Sequence, residues 1–183
     1  MRTDFQASDL SLGGLKLITP FYADDNRGFF LKSFEKDVFA GFGVDNDIYE
    51  DFESFSKKSV IRGLHFQTKN PQAKIVRVLW GEVLDVVVDL RKESPSFCRW
   101  LSVPLSHENR NILWIPKGFA HGFAVKSEEA VMSYKCIGKF SPETDSGICW
   151  NDPDLNIQWG EENPIVSEKD SKLMTLKTYL ELF

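Results

Sequence analysis

Two runs of alternating side chains that meet at Gly81-Glu82 constrain the fold more than any other feature of this chain. Lys74 to Trp80 and Val83 to Leu90 are rich in Val, Ile and Leu, and Gly81-Glu82 between them matches the Gly-X chemistry of a type II′ turn. They are expected to pair as an antiparallel hairpin, with Trp80 opposite Val83, Val78 opposite Asp85 and Lys74 opposite Asp89. Alternation then places Lys74, Val76, Val78 and Trp80 on one face, together with Val83, Asp85, Val87 and Asp89. One lysine and two aspartates on a face otherwise made of valine and tryptophan fit the wall of a pocket. A solvated face fits as well, because the opposite side (Ile75, Arg77, Leu79, Leu84, Val86, Val88 and Leu90) is more apolar. Periodicity does not decide between the two when both faces are mixed.

The same signature recurs along the chain. Leu15 to Pro20 is a short apolar run. Asp24-Asp25-Asn26-Arg27-Gly28 reads as a turn, followed by a strand from Phe29 to Phe34. Val60 to Gln67, Trp100 to Pro104, Asn111 to Ile115, His121 to Val125 and Val131 to Ile137 complete the series. Many short strands with turn signals between them predict a mainly all-β, antiparallel sandwich or barrel. Helix is expected in two places only. Glu35 to Ala40 is one, closed by Gly41. The other is near the C-terminus, where Ser167-Glu168-Lys169-Asp170 resembles a capping box ahead of Leu173, Leu176 and Leu180.

A chain of 183 residues, 42% of them hydrophobic, fits one domain spanning residues 1–183. The net charge of −5 and the absence of any Lys/Arg-rich block argue against a nucleic-acid partner. An acidic chain that binds an anion has to gather its cations locally. Cys98, Cys136 and Cys149 are odd in number and lack Cys-x-x-Cys spacing, so they read as reduced, buried thiols. The N-terminal residues lack the apolar core of a signal peptide, and no apolar run approaches transmembrane length. A soluble cytoplasmic protein with no membrane partner is expected.

Chemistry is to be sought first between Ser59 and Arg77. The chain has only three histidines, and this stretch sets His65 close to Arg62 and Lys74 among apolar neighbours. Arg62 and His65 are three residues apart, so a regular strand points them to opposite faces. Gly63 lies between them and can supply a bulge that turns both inward.

Several motifs in order resemble the dTDP-4-dehydrorhamnose 3,5-epimerase family. They are Arg62-Gly-Leu-His65-Phe-Gln, Gln72-Ala-Lys74-Ile-Val-Arg, Asp85-Val-Val-Val-Asp-Leu-Arg91, Pro116-Lys-Gly-Phe-Ala-His121-Gly-Phe, Tyr134-Lys and Trp150-Asn-Asp-Pro, and the likeness runs from about Gly14 to about Asp170. The resemblance implies a cupin-type jelly roll, a homodimer and a nucleotide-linked 4-keto-6-deoxysugar substrate, with no metal and no cofactor. It implies His65 as catalytic base, Asp170 as its orienting carboxylate, Tyr134 as general acid and Lys74 as the enolate-stabilising cation. Substrate contacts fall on Arg27, Arg62, His121 and Lys169, with Phe140 stacking on the nucleotide base and Asp145 as an acidic contact.

These residue types suit the reaction. A proton beside a ketone is weakly acidic, and its removal leaves an enolate. An imidazole, with an ordinary pKa of about 6.5, is a suitable base at neutral pH. A carboxylate on its other nitrogen fixes the tautomer, and an ammonium neutralises charge on the C4 oxygen. A phenol, ordinarily near ~10, stays protonated and can return a proton to the opposite face. Arg62 and Arg27 suit a diphosphate. Duller readings exist for each: Tyr134 and Phe140 as core, Asp170 and Lys169 as helix-terminal charges, His121 as a turn cap, His107 as a loop residue, Asp85 as a counter-charge to Lys74.

Two departures from the family pattern bear on the nucleotide. Lys32 stands where a glutamate is usual, and Glu50-Asp51-Phe52 where Gln-Asp-Asn is usual; in the family these positions contact the nucleotide, the latter across the dimer. A single-site epimerase, or one using a CDP- or GDP-linked sugar, is the nearest alternative. A metal-dependent cupin needs about three histidines and a carboxylate on one ion, whereas His65-Phe-Gln lacks a second nearby histidine. A non-catalytic sugar-nucleotide-binding module has no need of His65, Lys74 and Tyr134 together.

Overall fold

Alternation along the chain becomes three antiparallel sheets in the computed structural model, which describes residues 2–183. The strands are β1 (Arg2–Thr3), β2 (Gln6–Asp9), β3 (Lys16–Thr19), β4 (Phe21–Asp25), β5 (Gly28–Lys32), β6 (Ile48–Lys57), β7 (Ile61–Gln67), β8 (Ala73–Trp80), β9 (Glu82–Asp89), β10 (Trp100–Ser106), β11 (Ile112–Ile115), β12 (Phe119–Val125), β13 (Glu129–Ile137) and β14 (Asp145–Gly147). Helix α1 (Lys36–Gly41) follows β5, and α2 (Leu176–Leu182) ends the chain. A six-stranded sheet runs β2-β3-β11-β8-β13-β6 and a five-stranded sheet β10-β9-β12-β7-β14, while β1-β4-β5 forms a small third sheet.

The two large sheets face each other across one apolar layer. Val76, Val78, Leu113, Ile115 and Met132 from the six-stranded sheet meet Val83, Val87, Leu105, Phe123 and Val125 from the five-stranded sheet. Behind the five-stranded sheet, Val86, Val88 and Ala120 pack on the C-terminal segment through Ile148, Trp159 and Leu176. Behind the six-stranded sheet, Ile18, Ile75 and Trp114 receive Phe39 of α1, which is fully buried. Burial of one such ring is worth roughly 1.5–3 kcal/mol. This is the double-sheet jelly roll of cupin type.

The hairpin expected at Gly81 is not formed. β8 pairs with β11 and β13, placing Lys74 opposite Ile115 and Cys136, whereas β9 pairs with β10 and β12, placing Asp85 opposite Val103 and Phe123. Gly81 instead carries the chain round a corner from one sheet to the other, with φ of 79°. A Cβ there would lie 2.0 Å from the Glu129 carbonyl oxygen. Gly-X chemistry suits a sheet-switching corner as well as a tight turn. The face assignment holds all the same: Val76, Val78, Val83 and Val87 all point into the layer between the sheets. Trp80 lies at the corner, largely exposed, stacked on His107 at 4.9 Å.

The C-terminal helix is shorter than expected. Ser167 Oγ does accept from the Asp170 N–H at 3.0 Å, but this opens only a 3-10 turn, Asp170–Lys172. Leu173 is extended, Met174 bridges Ile148, and α2 begins after Thr175, whose side chain caps the Thr178 N–H. Strand β6 was not anticipated, because Glu50-Asp51-Phe52-Glu53-Ser54 is too polar to show an apolar period.

Candidate active site

Gly63 decides how the site is built. β7 pairs with β12 through His65↔His121 and Arg62↔Phe123, so three steps on β7 oppose two on β12. The extra residue is a bulge, and it turns both Arg62 and His65 toward one cavity. Gly63 has φ of 114°, and a Cβ on it would lie 2.6 Å from Gly122 Cα and 2.7 Å from the His121 carbonyl oxygen. Only glycine tolerates both conditions.

The cavity has a volume of about 410 Å³ and opens between the two large sheets. Arg62 and His65 enter from β7 and His121 from β12. Lys74 enters from β8, Tyr134 and Cys136 from β13, and Glu50, Phe52 and Ser54 from β6. β6 pairs with β13, so Glu50 and Phe52 line the cavity of their own chain rather than reaching across a dimer as expected. Phe140, Asp145 and Lys169 stand at its rim, the last two joined as an ion pair.

His65 Nε2 lies 2.8 Å from Asp170 Oδ1, and Asp170 Oδ2 accepts the Gly63 N–H at 3.0 Å. Burial works to raise the Asp170 carboxyl, but hydrogen bonds from His65, Gly63 and Ser167 outweigh it and hold the group below the usual carboxylate range. An ionised Asp170 accepts from Nε2–H, which leaves His65 Nδ1 with its lone pair. A second dyad sits beside it: His121 Nε2 is 2.9 Å from Asp85 Oδ2, with both residues buried. Burial pushes His121 down and Asp85 up, each against the attraction of its partner.

Lys74 is half-buried as a residue, but its ammonium lies deep, and burial lowers its pKa while Cys136, Asp85 and Asp145 oppose that shift. Asp85 therefore acts on Lys74 through its charge, its Oδ2 being taken by His121. Burial also raises the neighbouring Cys136 thiol to about 11, against the pull of the Lys74 charge, which works to lower it. Burial raises the Tyr134 phenol well above its ordinary value, so it is a donor at neutral pH. Arg62 is held before any ligand arrives, its Nε donating to Ser56 Oγ at 2.9 Å and a terminal nitrogen to the Phe55 carbonyl at 3.1 Å.

Two expected contacts are not brought to this cavity. Arg27 stands at the tip of the β4–β5 hairpin, exposed and paired with Asp25 at 2.6 Å. Lys32, on β5, pairs with Glu35 at 2.5 Å. The hairpin belongs to the small third sheet, whereas His65 stands on the five-stranded sheet, and neither Arg27 nor Lys32 lines the cavity. Glu50 lines the cavity but spends its carboxylate internally, accepting from the Phe140 N–H at 3.3 Å and from Gln72 Nε2 at 3.4 Å. Ser54, Ser56, Gln72 and Cys136 were missed; the period of two from Glu50 and Phe52 along β6, and from Tyr134 along β13, points to three of them. Among the described residues, no three His, Cys, Asp or Glu side chains cluster as a metal site would require.

Comparison with known proteins gives a consistent result. The family model for dTDP-4-dehydrorhamnose 3,5-epimerase matches residues 9–178. A dTDP-4-dehydrorhamnose 3,5-epimerase of Methanothermobacter thermautotrophicus is 45% identical over 177 residues, covering 95% of this chain and 96% of that protein. The structure of a dTDP-6-deoxy-D-glucose-3,5-epimerase from Legionella pneumophila, in complex with dTDP-4-keto-L-rhamnose, superposes with a TM-score of 0.92 at 41% identity, covering 95% of this chain and 94% of that one. A 3′-monoepimerase from Streptomyces bikiniensis, in complex with dTDP-quinovose, superposes at 0.87 with 30% identity, covering 94% and 89%.

Proposed function

The chain belongs to the dTDP-4-dehydrorhamnose 3,5-epimerase family, and on that premise we propose that it is a cofactor-free isomerase converting dTDP-4-dehydro-6-deoxy-D-glucose to dTDP-4-dehydro-L-rhamnose. The observation that carries this reading is that His65, paired with Asp170 of the C-terminal 3-10 turn, enters the cavity from one sheet while Tyr134 enters it from the other. A sugar ring held between the sheets has a base on one face and a proton donor on the other, as inversion needs.

In this mechanism His65 Nδ1 takes the proton from the carbon beside the C4 ketone. The electron pair passes to the C4 oxygen, where the Lys74 ammonium faces the developing charge. Burial makes Lys74 costly to keep charged alone, so a new anion beside it is worth more than in water. Tyr134 then gives its proton to the opposite face of the carbon. The phenolate, disfavoured by burial, recovers a proton from solvent, and the His65 imidazolium releases to solvent the proton it took, which restores the base. Repetition at the second carbon completes the 3,5-inversion. Arg62, His121 and Lys169 are assigned to the diphosphate and sugar, and Phe140 to the base, with Glu50 fixing the Phe140 backbone rather than meeting the ligand.

We read the chain as one catalytic domain working in a homodimer. Phe29 and Phe30 are 67% and 60% exposed on the β4–β5 hairpin, and the ten-residue β6 is an edge strand. A partner's cavity gives the hairpin, and with it Arg27 and Lys32, a place to act. No helix among the described residues is long and apolar enough to cross a membrane, and three free cysteines suit a reducing cytoplasm.

Incubation with dTDP-, CDP- and GDP-linked 4-keto-6-deoxysugars in D2O tests the reading. Deuterium at both C3 and C5 of the dTDP sugar, with inversion, is expected; deuterium at one carbon makes the chain a single-site epimerase. No incorporation from any of the three sinks the assignment.

A further inference from the structure

We infer that Phe52 is a positioning residue for Tyr134: its ring, laid flat on the phenol from the neighbouring strand, aims the proton donor and keeps it dry. This deepens the proposed function and rests on Tyr134 being the group that returns the proton. Phe52 and Tyr134 are direct partners across β6 and β13. Their ring centroids are 4.9 Å apart and their planes differ by 14°. Directly opposed residues have Cβ atoms about 4.5–5.5 Å apart, so the stack is written into the register.

The phenol has little else to hold it. Its oxygen is 3.4 Å from Ser54 Oγ, longer than the ~2.7–2.8 Å of an ordinary O–H···O bond, and its other partner is a thioether, Met132 Sδ at 3.6 Å, a weak acceptor. His121 meets the ring edge-on at 6.2 Å. Orientation of the ring therefore depends on the group that covers its face, and Phe52 is that group. Tyr134 is 7% exposed while Phe52 is 46% exposed, which makes Phe52 a cover over the donor rather than core. Reprotonation with inversion needs the hydroxyl aimed at one carbon, and a ring free to rock spreads that aim.

The test compares Phe52→Leu, which keeps apolar bulk but loses the flat face, with Phe52→Tyr, which keeps both. Phe52→Leu is expected to lower kcat about tenfold, part of the ~10²–10⁴ that general acid catalysis supplies, with KM within about twofold. Phe52→Tyr restores kcat. In D2O, Phe52→Leu should gain deuterium in recovered substrate relative to product, because His65 still removes the proton while its return to the other face is slowed. In a Tyr134→Phe background, Phe52→Leu has no further effect on kcat. A rise in KM with unchanged kcat makes Phe52 a substrate contact and overturns the inference. So does an equal loss in the Tyr134→Phe background. If Tyr134→Phe alone turns over like the wild type, the reading of Tyr134 itself has failed, a result distinct from both.

Discussion

Asp170 reaches across 105 residues of sequence to hold His65 Nε2 at 2.8 Å, and its other oxygen holds the Gly63 N–H at 3.0 Å. One carboxylate thus fixes both the imidazole and the bulge that presents it. At 4% exposure, it is shielded from the bulk solvent that would compete for either partner.

Asp170→Asn keeps the shape but loses the charge. The amide accepts from Nε2–H less strongly and gives nothing to an imidazolium. Loss of kcat by about 10²-fold or more is expected, as when the carboxylate of a histidine dyad is neutralised elsewhere. Steady-state kinetics with a circular-dichroism check of folding decides it; unchanged kcat means that Asp170 serves only the bulge.

Gly63→Ala should damage stability and activity together. The added Cβ meets Gly122 Cα at 2.6 Å, and the positive φ of 114° is closed to side chains. A loss of about 3 kcal/mol is expected from strain plus overlap. Urea unfolding measures the loss. The surviving folded fraction should be slow, since Arg62 and His65 are aimed by this bulge. Normal kcat per folded molecule refutes the link.

Asp89 contributes stability with a defined pH dependence. Burial works to raise its carboxyl, but hydrogen bonds from Arg91, Ser94 and Ser96 lower it from 3.8 to about 2. A depressed pKa means stabilisation present above pH 3.8 and lost as pH falls toward 2. Asp89→Asn is therefore expected to cost about 2 kcal/mol at pH 7, with the gap to wild type closing through the acid range. Denaturant titrations from pH 7 to about 3 show whether the gap narrows; a constant gap assigns the loss to packing.

Arg27 and His65 should complement each other between chains. Arg27→Ala and His65→Asn are each expected to be poorly active. Mixed dimers contain one site with His65 from one chain and Arg27 from the other, and that site is wild type. Co-refolding the two variants should restore activity to about a quarter of wild type by random pairing, given two-fold symmetric assembly. No recovery, with mixed dimers verified by mass, places Arg27 outside the partner's site.

What the sequence determined by itself was which side chains share a face and which chemistry they carry. Period two placed Val76, Val78, Val83 and Val87 on one side, and they line one layer. The motifs brought His65, Lys74 and Tyr134 to one cavity, and a glycine between Arg62 and His65 marked the bulge. Tertiary structure alone decided who pairs with whom. Gly81 reads as a hairpin turn locally, yet β8 and β9 lie in different sheets, because pairing is chosen by the burial of the whole chain and not by the two residues between strands. The capping signal at Ser167 was real, but Met174 is drawn into a bridge with Ile148, which breaks the helix. Arg27, a contact the resemblance implies, and Lys32, a departure from the family pattern, stand on a hairpin of the third sheet and do not line the cavity. Alternation encodes the direction of a side chain; its partner across space is a property of the assembled sheets, and the hold of Asp170 on His65 was implied by the family resemblance and not by alternation.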